Sequence, residues 1–167
     1  MKRIHVLTAM AASLVMSAGA MAQSNDVRTG DMSTEVLGQS ILLTQVETLR
    51  FGTFLPFGRV GTIRVTTNGL TQGFSALSTA DGGPAVWTVE GINSAPYHVA
   101  LPVTAEVNDG TGNIMSVNNF QRTGGTSQLF LDAAGEASFT VGADLRVGVN
   151  QPAGNYTGTY QVTVSYN

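Results

Sequence analysis

Apolar and polar residues alternate through much of the chain. From Gly154 to Tyr166 every second residue is Gly, Tyr or Val, and the residues between are Asn, Thr, Gln and Ser. Tyr97, Val99, Leu101, Val103, Ala105 and Val107 share one parity, with His98, Thr104 and Glu106 among the residues between. Ala85, Trp87 and Val89 repeat the pattern, as do Ala137, Phe139 and Val141, and then Leu145, Val147 and Val149. Each stretch predicts a strand with one face on a core and one on water. Pro102 has no amide to give a ladder, so its strand lies at an edge or bends there. Asp81-Gly82-Gly83-Pro84, Asn108-Asp109-Gly110, Gly124-Gly125 and Ala134-Gly135 read as turns, because Gly and Asn tolerate positive φ. After residue 22 no stretch carries apolar residues at helical spacing. Short strands separated by such turns predict an all-β, immunoglobulin-like β-sandwich in one domain.

The first residues follow a different pattern. Met1-Lys2-Arg3 is a basic start, Ile4 to Ala18 is mostly apolar, and Ala20-Met21-Ala22 has small residues where a signal peptidase would cut. Residues 1–22 therefore read as a secretory signal peptide. Its apolar core is about 15 residues, short of the roughly 20 that a membrane span needs. Residues 23–47 follow as an N-terminal extension or first strand, and residues 48–167 as the sandwich. Gln23 to Ser33 is polar, and apolar residues gather from Val36 to Leu43 with a slip in phase near Gly38. That stretch is either the sandwich's own first strand or a detachable strand for a neighbouring subunit. In the second case Ile41 and Leu43 are its best anchors.

Charge and composition remove several function classes. Beyond residue 22 there are six arginines and no lysine against eleven Asp and Glu. An acidic chain with scattered arginines does not fit a nucleic-acid or anionic-lipid binder, which needs clustered positive charge. No further segment is long and apolar enough to span a membrane. Cysteine is absent, so disulfides and thiolate metal sites are excluded. His98 is the only histidine after residue 22 and sits at an outward strand position, where an ordinary surface role fits better than a general base. No nucleophile elbow or phosphate-cradling loop occurs. Glu90 and Glu106 both fall at outward positions, and Asn108 to Asn113 lacks the spaced acids of a calcium loop. These observations point away from an enzyme and imply no cofactor and no metal. Asn155-Tyr156-Thr157 matches a glycosylation sequon but opens a strand with a buried face.

The end of the chain resembles the last strand of chaperone–usher pilus subunits. Those subunits are exported, incomplete immunoglobulin-like domains. Their final strand alternates, with an aromatic residue second from the end and a glycine fourteenth from the end. Tyr166 and Gly154 hold those places here, and the parity between them runs through Tyr156, Gly158, Tyr160, Val162 and Val164. A second resemblance covers most of the chain. Leu49-Arg50-Phe51-Gly52-Thr53, the run Val141 to Val147, Gln151 to Tyr160 and Val162 to Tyr166 look like the habitual phrases of a family of bacterial exported domains of unassigned function. That family is similar in style to spore-coat protein U and to pilins.

The resemblance implies a sandwich that lacks one strand and is completed by strand addition. It implies a fimbrial, structural protein that passes through the periplasm to the cell surface. Its partners would be other copies of itself or related subunits, with a periplasmic chaperone and an outer-membrane usher. Gly154, Tyr156, Tyr160, Val162, Val164 and Tyr166 would form the strand bordering the gap. The alternative is a self-contained secreted sandwich that binds carbohydrate or protein.

Overall fold

The computed structural model describes residues 40–55, 58–69, 71–73 and 76–166. The stretches expected to be a signal peptide and its cleavage site, and the segment containing Val36, lie outside them. Twelve strands follow in chain order: β1 (Leu42–Glu47), β2 (Arg50–Phe54), β3 (Gly61–Val65), β4 (Thr71–Gly73), β5 (Ala76–Gly83), β6 (Ala85–Glu90), β7 (Pro96–Ala100), β8 (Thr104–Asn108), β9 (Ile114–Arg122), β10 (Leu129–Phe130), β11 (Glu136–Val147) and β12 (Thr163–Tyr166). All the pairings are antiparallel. The described residues contain no helix, and the all-β sandwich expected from the alternation is what forms.

β11 organises the large sheet. Its first half, Glu136 to Val141, pairs with β6, and its second half, Ala143 to Val147, pairs with β3. Val141 faces Ala85 and Arg122 at once, so β9 runs along the opposite edge. β1 lies outside β6, β4 outside β3, and β8 outside β9. A smaller sheet has the order β10-β7-β12, and β2 pairs with β5 as a separate ribbon.

One parity of β11 supplies both halves of the core. Phe139 and Val141 join Ala85, Val89, Tyr97, Val99 and Leu131 in a first cluster. Ala143, Leu145 and Val147 join Ile63, Met115 and Val117 in a second. Burying a Val, Leu, Ile or Phe side chain is worth about 1.5–3 kcal/mol, and without cysteine these contacts hold the domain together. Opposite parity carries Asp144, 6% exposed. Its carboxylate accepts two hydrogen bonds from Arg64, at 2.6 and 2.7 Å, and one from Asn119 at 3.0 Å. The bond from Arg64, and then that from Asn119, hold the carboxyl below its ordinary pKa against the opposing effect of burial. The group thereby ties β3, β11 and β9 together.

Four sequence expectations change on folding. Residues 137–149, which read as two strands, form the single strand β11, because Gly142 continues the ladder where it passes close to the Val65 carbonyl; Val149 lies beyond it and is exposed. Residues 97–107, which read as one strand, divide into β7 and β8 at Leu101-Pro102-Val103, and the two halves enter different sheets. Pro102 accounts for the break, since it cannot donate to either ladder. Asp81-Gly82-Gly83 is the end of β5 rather than a turn, with Gly83 opposite Arg50. Pro84 marks where the chain leaves the small ribbon for the large sheet. The C-terminal stretch keeps its alternation but forms a ladder only at its end. The other turns form as read, with Gly110, Gly124, Gly125 and Gly135 at positive φ.

Candidate functional site

The C-terminal stretch runs back along β7 and β8. Thr163 to Tyr166 pair with Ala100 to Tyr97, and Thr157 makes an isolated bridge to Asn108 with both bonds at 2.9 Å. At Gly158 a side chain would overlap the carbonyl of Glu106, so glycine permits this close approach. Between the two contacts the chain bypasses Pro102. Tyr160, Val162, Val164 and Tyr166 are half-buried against the first core cluster, and Tyr156 against the second. The residues between them are exposed. Gly154 lies outside any ladder, exposed beside Asp109. Asp109 anchors the β8–β9 turn: bonds from the Asn113 side chain and the Thr111 amide lower its pKa to about 2.

β12 pairs only with β7, and β1 only with β6, among the described residues. They are edge strands of different sheets. No backbone hydrogen bond joins the two strands among the described residues. Tyr166 reaches over: its hydroxyl accepts from the Ile92 amide at 2.8 Å and donates to the Ser40 carbonyl at 3.5 Å. Gly91 makes room for that hydroxyl, because any side chain there would collide with it.

Before β12, around Tyr160, the C-terminal stretch lines a cavity of about 280 Å³. Trp87, Phe120 and Tyr160 form its aromatic wall, with Leu49 and Phe51 on the side of β1 and β2. Trp87 and Tyr160 meet edge to face with centroids 6.3 Å apart, and Trp87 Nε1 donates to Tyr160 Oη at 3.3 Å. Phe120 lies 5.2 Å from the Tyr160 ring. Burial pushes the Tyr160 phenol above its ordinary pKa, and the Trp87 bond partly offsets this. Gln45, Thr48, Glu106 and Thr159 bring polar groups to the rim.

Phe120 and Trp87 were not among the sequence-derived site residues. Phe120 has the wrong parity for β9, whose inward residues are Met115 and Val117. A bulge turns it inward: Gly142 pairs with Gln121, Asp144 pairs with Asn118, and Asn119 has φ of 53°. The pair Asn118-Asn119 is the one signal the sequence carries for this, since Asn tolerates the left-handed region.

Ile41 and Leu43 are held by their own chain. Leu43 stands opposite Val89 in the β1–β6 ladder, and both side chains pack on the first core cluster. A donor role for them would require β1 to leave β6. His98 is exposed on β7 opposite Ser165, and Glu90 and Glu106 are exposed as read. Among the described residues no three His, Cys, Asp or Glu side chains are grouped to hold a metal ion. No helix among them is long and apolar enough to cross a membrane.

Residues 41–166 match the model of a domain of unknown function, DUF4402, and the chain belongs to that family. No curated protein and no solved structure matches it.

Proposed function

We propose that this member of the DUF4402 family is a structural subunit of the bacterial surface that assembles by strand exchange. It is exported through the periplasm and built into a fimbrium. The observation that carries the reading is that β1 and β12 each have only one ladder partner among the described residues, while Leu43, Val164 and Tyr166 on them pack on the first core cluster. Unpaired strand edges template the addition of another strand. A strand added at these edges would gain main-chain hydrogen bonds, and its alternate side chains would meet Trp87, Tyr160, Val162 and Val164. A contact of this kind, made head to tail between copies, does not close on itself and grows a filament.

In this reading Tyr156, Tyr160, Val162, Val164 and Tyr166 form the bordering strand, and Gly154 frees its start. A periplasmic chaperone lends a strand before assembly, an outer-membrane usher receives the subunit, and the chain performs no catalysis. Electron microscopy and unheated denaturing gels of the exported protein test it. Fibres and a ladder of multimers are expected, and both are lost when residues 23–38 are deleted while β1 is kept. A monomer that forms neither at any concentration would overturn it.

A further inference from the structure

None of the described residues that line the cavity beside Tyr160 is positively charged. Trp87, Phe120, Tyr160 and Phe51 bring four aromatic rings to it. The face of such a ring carries negative charge density and attracts cations. The other polar lining residues supply one carboxylate (Glu106), one amide (Gln45) and the hydroxyls of Thr48 and Thr159. The arginines nearest in sequence are engaged elsewhere. Arg50, between Leu49 and Phe51, meets Glu47 at 3.5 Å and donates to the Asp81 carbonyl. Arg122, two residues past Phe120, donates to the carbonyls of Thr123 and Ser127.

Geometry and size narrow the occupant. The Trp87 ring stands at 81° to Tyr160, and Phe120 is tilted 32° to it. Rings at these angles close around a compact group and offer no flat platform on which a sugar would stack. At about 280 Å³ the cavity lies at the small end of ligand sites, which run from roughly 300 to 1,000 Å³. A cavity of about 150 Å³ already accepts benzene, so a trimethylammonium head with a short tail fits. Trp87, Phe120 and Tyr160 are half-buried, and attraction between a cation and a ring grows as water is removed. A bare ammonium would need an acceptor for each of its three donors. A methylated one donates nothing and meets the rings with apolar surface.

We propose that this cavity binds a small methylated ammonium ion, its cationic head against Trp87, Phe120 and Tyr160 and its tail toward the polar rim. The site does not depend on strand exchange. Tyr160 lies between the Thr157 bridge and Thr163, where the C-terminal stretch forms no ladder. The carboxylate of Glu106 and the net negative charge of the chain raise the local concentration of such a cation.

Trp87 is the only tryptophan, so its emission in the full chain reads the site directly. Choline should change it saturably in about 0.15 M salt, where exposed carboxylates are well screened. The neutral isostere of choline, with a tert-butyl group in place of trimethylammonium, should bind about tenfold more weakly. Glucose should leave the emission unchanged. In calorimetric titrations Tyr160→Leu should abolish choline binding and Tyr160→Phe should retain it. Glu106→Gln should weaken choline and leave the neutral isostere as it was. Sedimentation with phosphatidylcholine vesicles, reversed by free choline, would assign the ammonium group to a lipid head. Protein that binds choline but stays in the supernatant would assign it to a free solute. Equal affinity for choline and its neutral isostere would overturn the proposal, leaving an apolar cavity only. So would a response to glucose alone, no saturable response to choline, or choline binding insensitive to both Tyr160→Leu and Glu106→Gln.

Discussion

The hydroxyl of Tyr166, on the penultimate residue, accepts a hydrogen bond from the backbone amide of Ile92 at 2.8 Å, seventy-four residues earlier in the chain. The contact fastens the end of β12 to the turn after β6, and Gly91 is the residue that leaves space for it. Tyr166→Phe should lower stability by about 0.5–1.5 kcal/mol, the usual net worth of one such bond. Gly91→Ala should cost more, because the new methyl group and the hydroxyl claim the same space. The double variant should be less destabilised than the sum of the two, since removing the hydroxyl relieves the collision. Denaturant unfolding of the four proteins measures the coupling.

Tyr160 closes the aromatic wall from the C-terminal side. Tyr160→Ala should cost about 2–3 kcal/mol, less than the roughly 3–5 kcal/mol typical of fully buried aromatic residues, because Tyr160 is only half-buried. It should also red-shift the emission of Trp87. Tyr160→Phe keeps the ring and loses only the bond to Trp87 Nε1, so its effect on stability should be under half as large.

Gly158 lies against the Glu106 carbonyl. Gly158→Val should break the Asn108–Thr157 bridge while leaving the β12–β7 ladder in place. Limited proteolysis should then cut between Ala153 and Tyr160 faster than in the parent, with little change between Thr163 and Tyr166.

Acid should weaken the fold through Asp109, Asp132 and Asp144, whose pKa values are all lowered in the folded chain. A carboxyl with a depressed folded pKa takes up its proton first in the unfolded state. Its stabilisation is present above the unfolded value near 3.9 and lost as pH falls through the folded value. For Asp109 the window runs from about 4 down to about 2. The midpoint of thermal unfolding should fall across that range. Asp144→Asn should lower it at neutral pH and flatten its slope in acid. An unchanged slope in that variant would mean that Asp144 is not among the groups responsible.

Much of the fold was legible because parity survives folding. Ala85, Val89, Tyr97, Val99, Phe139, Val141, Leu145 and Val147 point inward as their alternation requires. The exposed and half-buried residues of the C-terminal stretch also alternate as read. What alternation cannot give is where a ladder breaks or which sheet a strand joins. Residues 137–149 looked like two strands, but Gly142 carries the ladder on close to the Val65 carbonyl, and the burial of the outward Asp144 under Arg64 and Asn119 needs three strands assembled. Residues 97–107 looked continuous because a proline can sit within an alternating run. The cavity itself was least legible. Its aromatic wall joins Trp87, Phe120 and Tyr160 from three distant segments, and Phe120 reaches it only through the bulge at Asn119. The C-terminal glycine and tyrosine singled out this stretch, but nothing in their spacing gave the contact with Ser40 or the cavity beside Tyr160.

Hydrogen exchange at the backbone amides of β1 and β12 that face away from β6 and β7 tests the central claim most directly. With residues 23–38 deleted, the dispersed chain should exchange these amides nearly as fast as open coil, while those of β6, β7 and β11 stay protected. In assemblies of the intact protein the same edge amides should slow by orders of magnitude, because an added strand now accepts their bonds. Edge amides that exchange equally fast in the assemblies, or that are already protected in the truncated monomer, would contradict the account.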